Sequence, residues 1–159
     1  MAATKWTWVL GLALAASLAS GTGALAAGAG GGGSSRGGDD ALREARALIS
    51  AERYEEALGK LEEVVTSDDG NADAWNLVGF SYRKLERYEP ALKGYAKALA
   101  IDPRHTEAIE YLGELYLALD DLTQAEEQLA RLGEVCGSGC EEYEELEEAI
   151  ARYKAARGG

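Results

Sequence analysis

Shifted against itself by 34 residues, the chain brings its small and large apolar positions into common columns. Ala57, Ala91 and Ala125 coincide, as do Ala45, Gly79 and Gly113. The larger Leu48, Tyr82 and Tyr116 align, and so do Leu61, Tyr95 and Leu129. No insertion is needed between residues 38 and 139, which divide into three units, 38–71, 72–105 and 106–139. Repetition at such a period marks a stacked architecture before any local structure is assigned.

Each unit reads as two helices. In the middle one, Trp75, Val78, Gly79 and Tyr82 fall at i, i+3, i+4 and i+7, one stripe of a 3.6-residue period. A second helix opens near Glu89-Pro90, where proline is tolerated in the first turn, and ends at Asp102-Pro103. It turns Ala91, Tyr95 and Ala98 to the same side. Gly79 and Ala91 predict a close crossing of the two helices, with the aromatic rings filling the space beside it. A helix pair of this length cannot enclose its own apolar stripe, so stacking of successive units must supply the core.

Trp75, Gly79, Tyr82, Ala91, Tyr95, Ala98 and Pro103 resemble the tetratricopeptide repeat signature (W…G…Y…A…F/Y…A…P) in both residue type and period. The resemblance covers residues 38–139. It is most specific in the middle unit and weakest in the first, where Ala41 stands at the tryptophan position and Asp69 at the proline. It implies an all-α superhelix of three antiparallel helix pairs with a concave groove lined by the first helix of each pair. The role it implies is recognition of another protein or a peptide.

Helical geometry then nominates groove residues off the core stripe. Unit one offers Arg43 and Arg46; unit two offers Asn76, Phe80 and Arg83 or Lys84; unit three offers Glu107, Glu110 and Glu114 at i, i+3 and i+7. Some members of the family clamp a carboxylate with cations from successive first helices. Here Glu107 and Tyr111 stand where the third helix would supply them, so a different ligand is expected, one with an apolar element at Phe80 and a cationic element facing the three glutamates.

Residues 140–157 continue with Tyr143, Leu146, Ile150 and Tyr153 on one helical face and predict a capping helix, its glutamates early and Arg152, Lys154 and Arg157 late, as the helix dipole favours. Between this cap and unit three lies Cys136-Gly-Ser-Gly-Cys140. In an oxidising compartment two thiols this close are expected to form a structural disulfide, the Gly-Ser-Gly break supplying the bend. Free thiols are the alternative. Redox or metal chemistry is a further one, but C-x-x-C spacing is missing and His105 is the only other soft ligand.

The head differs from all of this. Lys5 precedes an apolar run from about Trp6 to Leu18, then small residues and Ala24-Leu25-Ala26. These are the parts of a secretory signal peptide over residues 1–26, with cleavage after Ala26 or Ala27. A retained anchor is the alternative, though Gly, Ser and Thr dilute the run below a good membrane span. Residues 27–37 are glycine-rich and are expected to be a disordered tether. An exported protein, periplasmic or secreted, follows, with no stable membrane insertion once the signal is removed.

Charge and composition narrow the partners. The net charge is −12, which disfavours nucleic acid and anionic lipid. One histidine in an inter-repeat turn and no nucleophile beside a base leave no catalytic constellation, and no G-K-[ST] follows the glycine run, so neither an enzyme nor a cofactor or metal site is expected. The function read from the chain is a non-catalytic adaptor or scaffold for another polypeptide. Its rivals are a permanent structural subunit of an envelope assembly and a thiol-disulfide protein using Cys136 and Cys140.

Overall fold

The computed structural model describes residues 33–158, with side chains from Gly37 onward. The expected signal segment and most of the glycine-rich stretch lie outside the described residues. Among those described there are seven α-helices: α1 (Gly33–Ser50), α2 (Tyr54–Ser67), α3 (Ala72–Lys84), α4 (Tyr88–Ile101), α5 (Thr106–Ala118), α6 (Leu122–Val135) and α7 (Glu141–Arg157). They pack as the pairs α1–α2, α3–α4 and α5–α6, with α7 against both α5 and α6. Three helix pairs followed by a capping helix is the architecture expected of the chain.

One boundary differs. α1 starts at Gly33, so residues 33–37 of the stretch read as a tether are helical. Glycine costs a helix about 1 kcal/mol per residue relative to alanine, which argued for slack chain there. Ala41 and Ala45 are buried against the first core cluster, however, and a helix nucleated by packing extends backward by propagation alone.

Sterics at three glycines set how closely the helices approach. A Cβ on Gly94 would lie 2.6 Å from the backbone nitrogen of Gly79, and one on Gly79 would lie 2.6 Å from the ring of Tyr95. So α3 and α4 cross backbone to backbone. The expected small pair was Gly79 and Ala91; Ala91 is fully buried, but Gly94 is the residue that meets Gly79. In the third unit a Cβ on Gly113 would collide with Leu146 at 2.5 Å, so a leucine of the cap fills the space above that glycine.

The turns inside the pairs repeat as faithfully as the core. Glu52, Glu86 and Asp120 carry φ of 58°, 57° and 64° at equivalent positions. Each is followed by a residue whose N–H reaches back to the helix: Arg53 to Leu48 O, Arg87 to Tyr82 O, Asp121 to Tyr116 O. This is the Schellman pattern, which ordinarily has glycine at the left-handed residue. Between pairs, the side chains of Asn71 and His105 cap α3 and α5 by accepting from the amides of Ala74 and Ala108. Turns fixed in this way hold α1, α3, α5 and α7 on one side of the stack and α2, α4 and α6 on the other.

Candidate binding groove

On the side formed by the first helices, α3, α5 and α7 border an open depression of about 360 Å³. Its apolar part is Phe80 and Tyr111, whose ring centroids are 5.0 Å apart at a 51° tilt. Tyr54 of α2 packs edge-on against Phe80 at 6.4 Å. Phe80 is half-buried, and so is Tyr111, whose phenol burial pushes up to about 12.

Arg83 lies at the centre of this cluster. Its guanidinium is 5.4 Å from both ring centroids, Nε donates to the Tyr95 hydroxyl at 3.3 Å, and Nη2 pairs with Glu114 at 2.7 Å. Lys84 holds its ammonium 5.6 Å from the Phe80 ring. Tyr95 is fully buried, and its hydroxyl titrates far above the ordinary range because burial penalises the phenolate.

The three glutamates expected to stand as one exposed row do not. Glu114 belongs to Arg83. Glu107 accepts from Asn76 Nδ2 at 3.2 Å, and Asn76 is itself 1% exposed, its Oδ1 without a partner among the described residues. Glu110 is 3% exposed and forms no hydrogen bond or ion pair with any described residue. Burial, reinforced by the charges of Glu114 and Glu145, pushes its carboxyl from the ordinary 4.5 to about 8, so it is protonated at neutral pH. The physical reason for the difference is the cap. α7 covers the flank of α5, and its Glu145, Glu148 and Arg152 line the far wall of the depression. These three lie off the Leu146–Ile150 core stripe at i, i+3 and i+7, a signal present in the sequence but read there only as part of a capping helix.

The first unit is farther from this centre. Arg46 pairs with Asp73 of α3 at 2.9 Å, and the same carboxylate meets His105 Nε2 at 3.1 Å. Among the described residues Arg43 pairs only with Asp40, one turn away on its own helix, at 2.8 Å. The structure therefore gathers Phe80, Arg83, Glu110 and Glu114, places Asn76 and Glu107 beside them as a pair, and leaves Arg43 and Arg46 apart.

Two other features bear on function. Cys136 closes α6 and Cys140 opens α7, with Cα atoms 5.9 Å apart and the sulfurs placed as a bonded pair. The Glu142 carboxylate is near both sulfurs, but bonded sulfurs offer no thiolate to a metal. A larger depression, about 730 Å³, is lined by Trp75, Val78 and Tyr82 of α3 and by Leu58 and Val65 of α2, among others. No described helix is long and apolar enough to cross a membrane.

The middle pair, residues 72–105, matches the family model of the tetratricopeptide repeat. The chain has the tetratricopeptide-repeat fold. Superkiller complex protein 3 of Homo sapiens is 32% identical over 83 residues, 52% of this chain, but the chain spans only 5% of that protein's length. Among solved structures, the second repeat domain of human RPAP3, in complex with the HSP70 peptide SGPTIEEVD, superposes with a TM-score of 0.67 at 18% identity, over 77% of this chain and 98% of that one. The Yersinia enterocolitica type III secretion chaperone SycD, in complex with a peptide of the translocator YopD, gives 0.64 at 18% identity, over 74% and 89%. At these identities the structural likeness speaks to the fold.

Proposed function

We propose that this chain is a non-catalytic protein-interaction module that holds an extended segment of a partner polypeptide in the groove of its tetratricopeptide repeats. The observation that carries the reading is the Phe80–Tyr111 pair, left half-open on the first-helix side and ringed by charged groups. An aromatic anchor in a polar rim is the arrangement that concentrates binding energy. The peptide complexes of the RPAP3 domain and of SycD support it by showing what the same fold does elsewhere. Residues 1–26 supply the export signal in this reading, the partner is met outside the cytoplasm, and Cys136–Cys140 is an oxidised staple between the last repeat and its cap.

Cross-linking tests the groove. A photoreactive residue at exposed Lys84, on its rim, should capture a partner polypeptide, whereas one at exposed Lys93 on α4 should not. N-terminal sequencing of the exported form should begin at Ala27 or Gly28. A second reading is favoured by the apolar depression over Trp75, Val78 and Tyr82: a permanent subunit of an assembly whose neighbour covers that face. Capture from exposed Glu62, which lines that depression, and not from Lys84 would favour it instead.

A further inference from the structure

We infer that the depression between α3, α5 and α7 seats one lysine or arginine side chain of the bound polypeptide against Glu110. The inference deepens the groove reading and rests on it. Glu110 is 3% exposed as a residue and has no hydrogen bond or ion pair among the described residues, and its carboxylate oxygens are not sealed but open on the depression that the residue lines. Arg83, the cation whose charge reaches it, is already engaged by Glu114 and the Tyr95 hydroxyl. Arg152, on the far wall, is held by Glu148 at 3.2 Å, and Lys84 lies over the Phe80 ring.

The surroundings select the sign of the ligand. Glu114 on its own helix and Glu142 and Glu145 on α7 all act on Glu110 as negative charges, opposed by Arg83. An incoming carboxylate would meet those three glutamates; an incoming ammonium or guanidinium would relieve them. The rings of Phe80 and Tyr111 already accept the Arg83 cation at 5.4 Å, and they offer a second stem or cation the same kind of contact.

Seating a cation has a chemical consequence. In the free protein at neutral pH Glu110 carries its proton; beside a cation it does not, so the carboxyl O–H breaks and the proton passes to solvent. Binding at pH 7 therefore releases close to one proton, and affinity rises with pH up to about 8. The charged and titratable groups facing Glu110 are Glu114 and Tyr111 of α5, Arg83 and Lys84 of α3, and Glu142, Glu145, Glu148 and Arg152 of α7.

The probe is a random dodecapeptide library displayed on phage, panned against the protein from Ala27 onward. Selected peptides should share one Lys or Arg position beside an apolar residue. Calorimetry of one such peptide in buffers of different ionisation enthalpy should show release of about one proton at pH 7. Glu110→Gln, isosteric with the protonated carboxyl, should fold, abolish the release and weaken binding about tenfold or more. Titration of the Glu110 carboxyl by carbon NMR in the parent gives an independent readout, its midpoint falling when peptide is added. Peptides that lose binding in Phe80→Ala yet release no proton and ignore Glu110→Gln would overturn the cation seat and leave the groove standing. Peptides enriched in Asp or Glu would do the same, assigning the depression to Arg83, Lys84 and Arg152. Peptides indifferent to both variants, or no selected peptide at all, would remove the groove reading and the seat with it.

Discussion

Between α1 and α3 the interior is aliphatic: Ala41, Ala45, Leu61, Val64, Ala74, Leu77 and Val78 close on one another, and charges stay at the rim. There Arg43 pairs with Asp40 and Arg53 with Glu56, all largely exposed, and half-buried Lys60 pairs with exposed Glu44. Between α3 and α7 the interior is built from Tyr95, Ile109, Leu112, Leu115, Leu132 and Leu146, and polar groups enter it. Arg83 is 16% exposed, its partner Glu114 29%, and Glu110, 3% exposed as a residue, has no ion-pair partner among the described residues. Exposed pairs contribute roughly 0–1 kcal/mol each, so the first half owes its stability to packing. The second half carries desolvated charge, which the proposed ligand would relieve. On that reading stability and recognition divide along the stack, and the division can be broken experimentally.

The largest effect is expected at Gly94. Its Cβ would meet the backbone of Gly79 at 2.6 Å, and backbone cannot step aside as a side chain can. Gly94→Ala should separate α3 from α4, where the two halves join, and cost about 3 kcal/mol despite the better helix propensity of alanine. A denaturant midpoint unchanged from the parent would refute the crossing.

How much of this was legible follows from which residues repeat. The core columns show in a single sequence because each unit must fill the same volume at the same place, and these fix the helices, the pairs and the cap. Gly94 stays hidden because its column holds Lys60 and Gln128, so comparing units raises no flag. The left-handed turns at Glu52, Glu86 and Asp120 escape notice for want of glycine. Helical phase alone brings out Phe80 and Arg83 as residues off the core stripe, and both line the depression between α3, α5 and α7. The burial of Glu110 is not found this way, because it depends on α7 folding over α5, a contact between residues far apart in sequence. A glutamate among many glutamates carries no mark of it.

Removing the central cation should come next in size. Arg83→Leu leaves Glu114 without its partner and the Tyr95 hydroxyl without its donor, and removes a cation from two aromatic faces. A loss of about 2 kcal/mol is expected, less than for a fully buried pair because both groups retain some solvent. Arg43→Ala in the first half should be silent within about 0.5 kcal/mol. Equal losses from both variants would erase the distinction between the halves.

Acid and base should separate the halves further. Glu110 ionises near 4.5 in the unfolded chain and near 8 in the folded one, so over that window the folded state holds the extra proton. Its contribution to stability is greatest in acid, declines as the pH rises from about 4.5 to about 8, and is constant above. Glu110→Gln removes that decline. Thermal unfolding should show parent and variant alike near pH 4, with the variant the more stable of the two at pH 9. A parent more stable than the variant at pH 9 would mean that the ionised carboxyl finds a partner.

The smallest effect, and the sharpest contrast with Gly94, belongs to Gly59 in the middle of α2. It is helical and exposed, and a Cβ there meets nothing within 4 Å. Gly59→Ala should therefore stabilise the first half by about 0.5–1 kcal/mol, through the backbone entropy that glycine gives the unfolded chain. The same substitution thus has opposite signs in two helices that hold equivalent places in successive pairs, and the cause is whether another backbone lies against the residue. Gly59 also borders the depression over Trp75, Val78 and Tyr82. If a permanent neighbour covers that face, the added methyl should impair assembly while raising the melting temperature of the isolated chain. If the partner lies on the first-helix side, Gly59→Ala should raise the melting temperature and leave binding as it was. Loss of stability in the isolated chain would mean that α2 is more crowded than the structure shows.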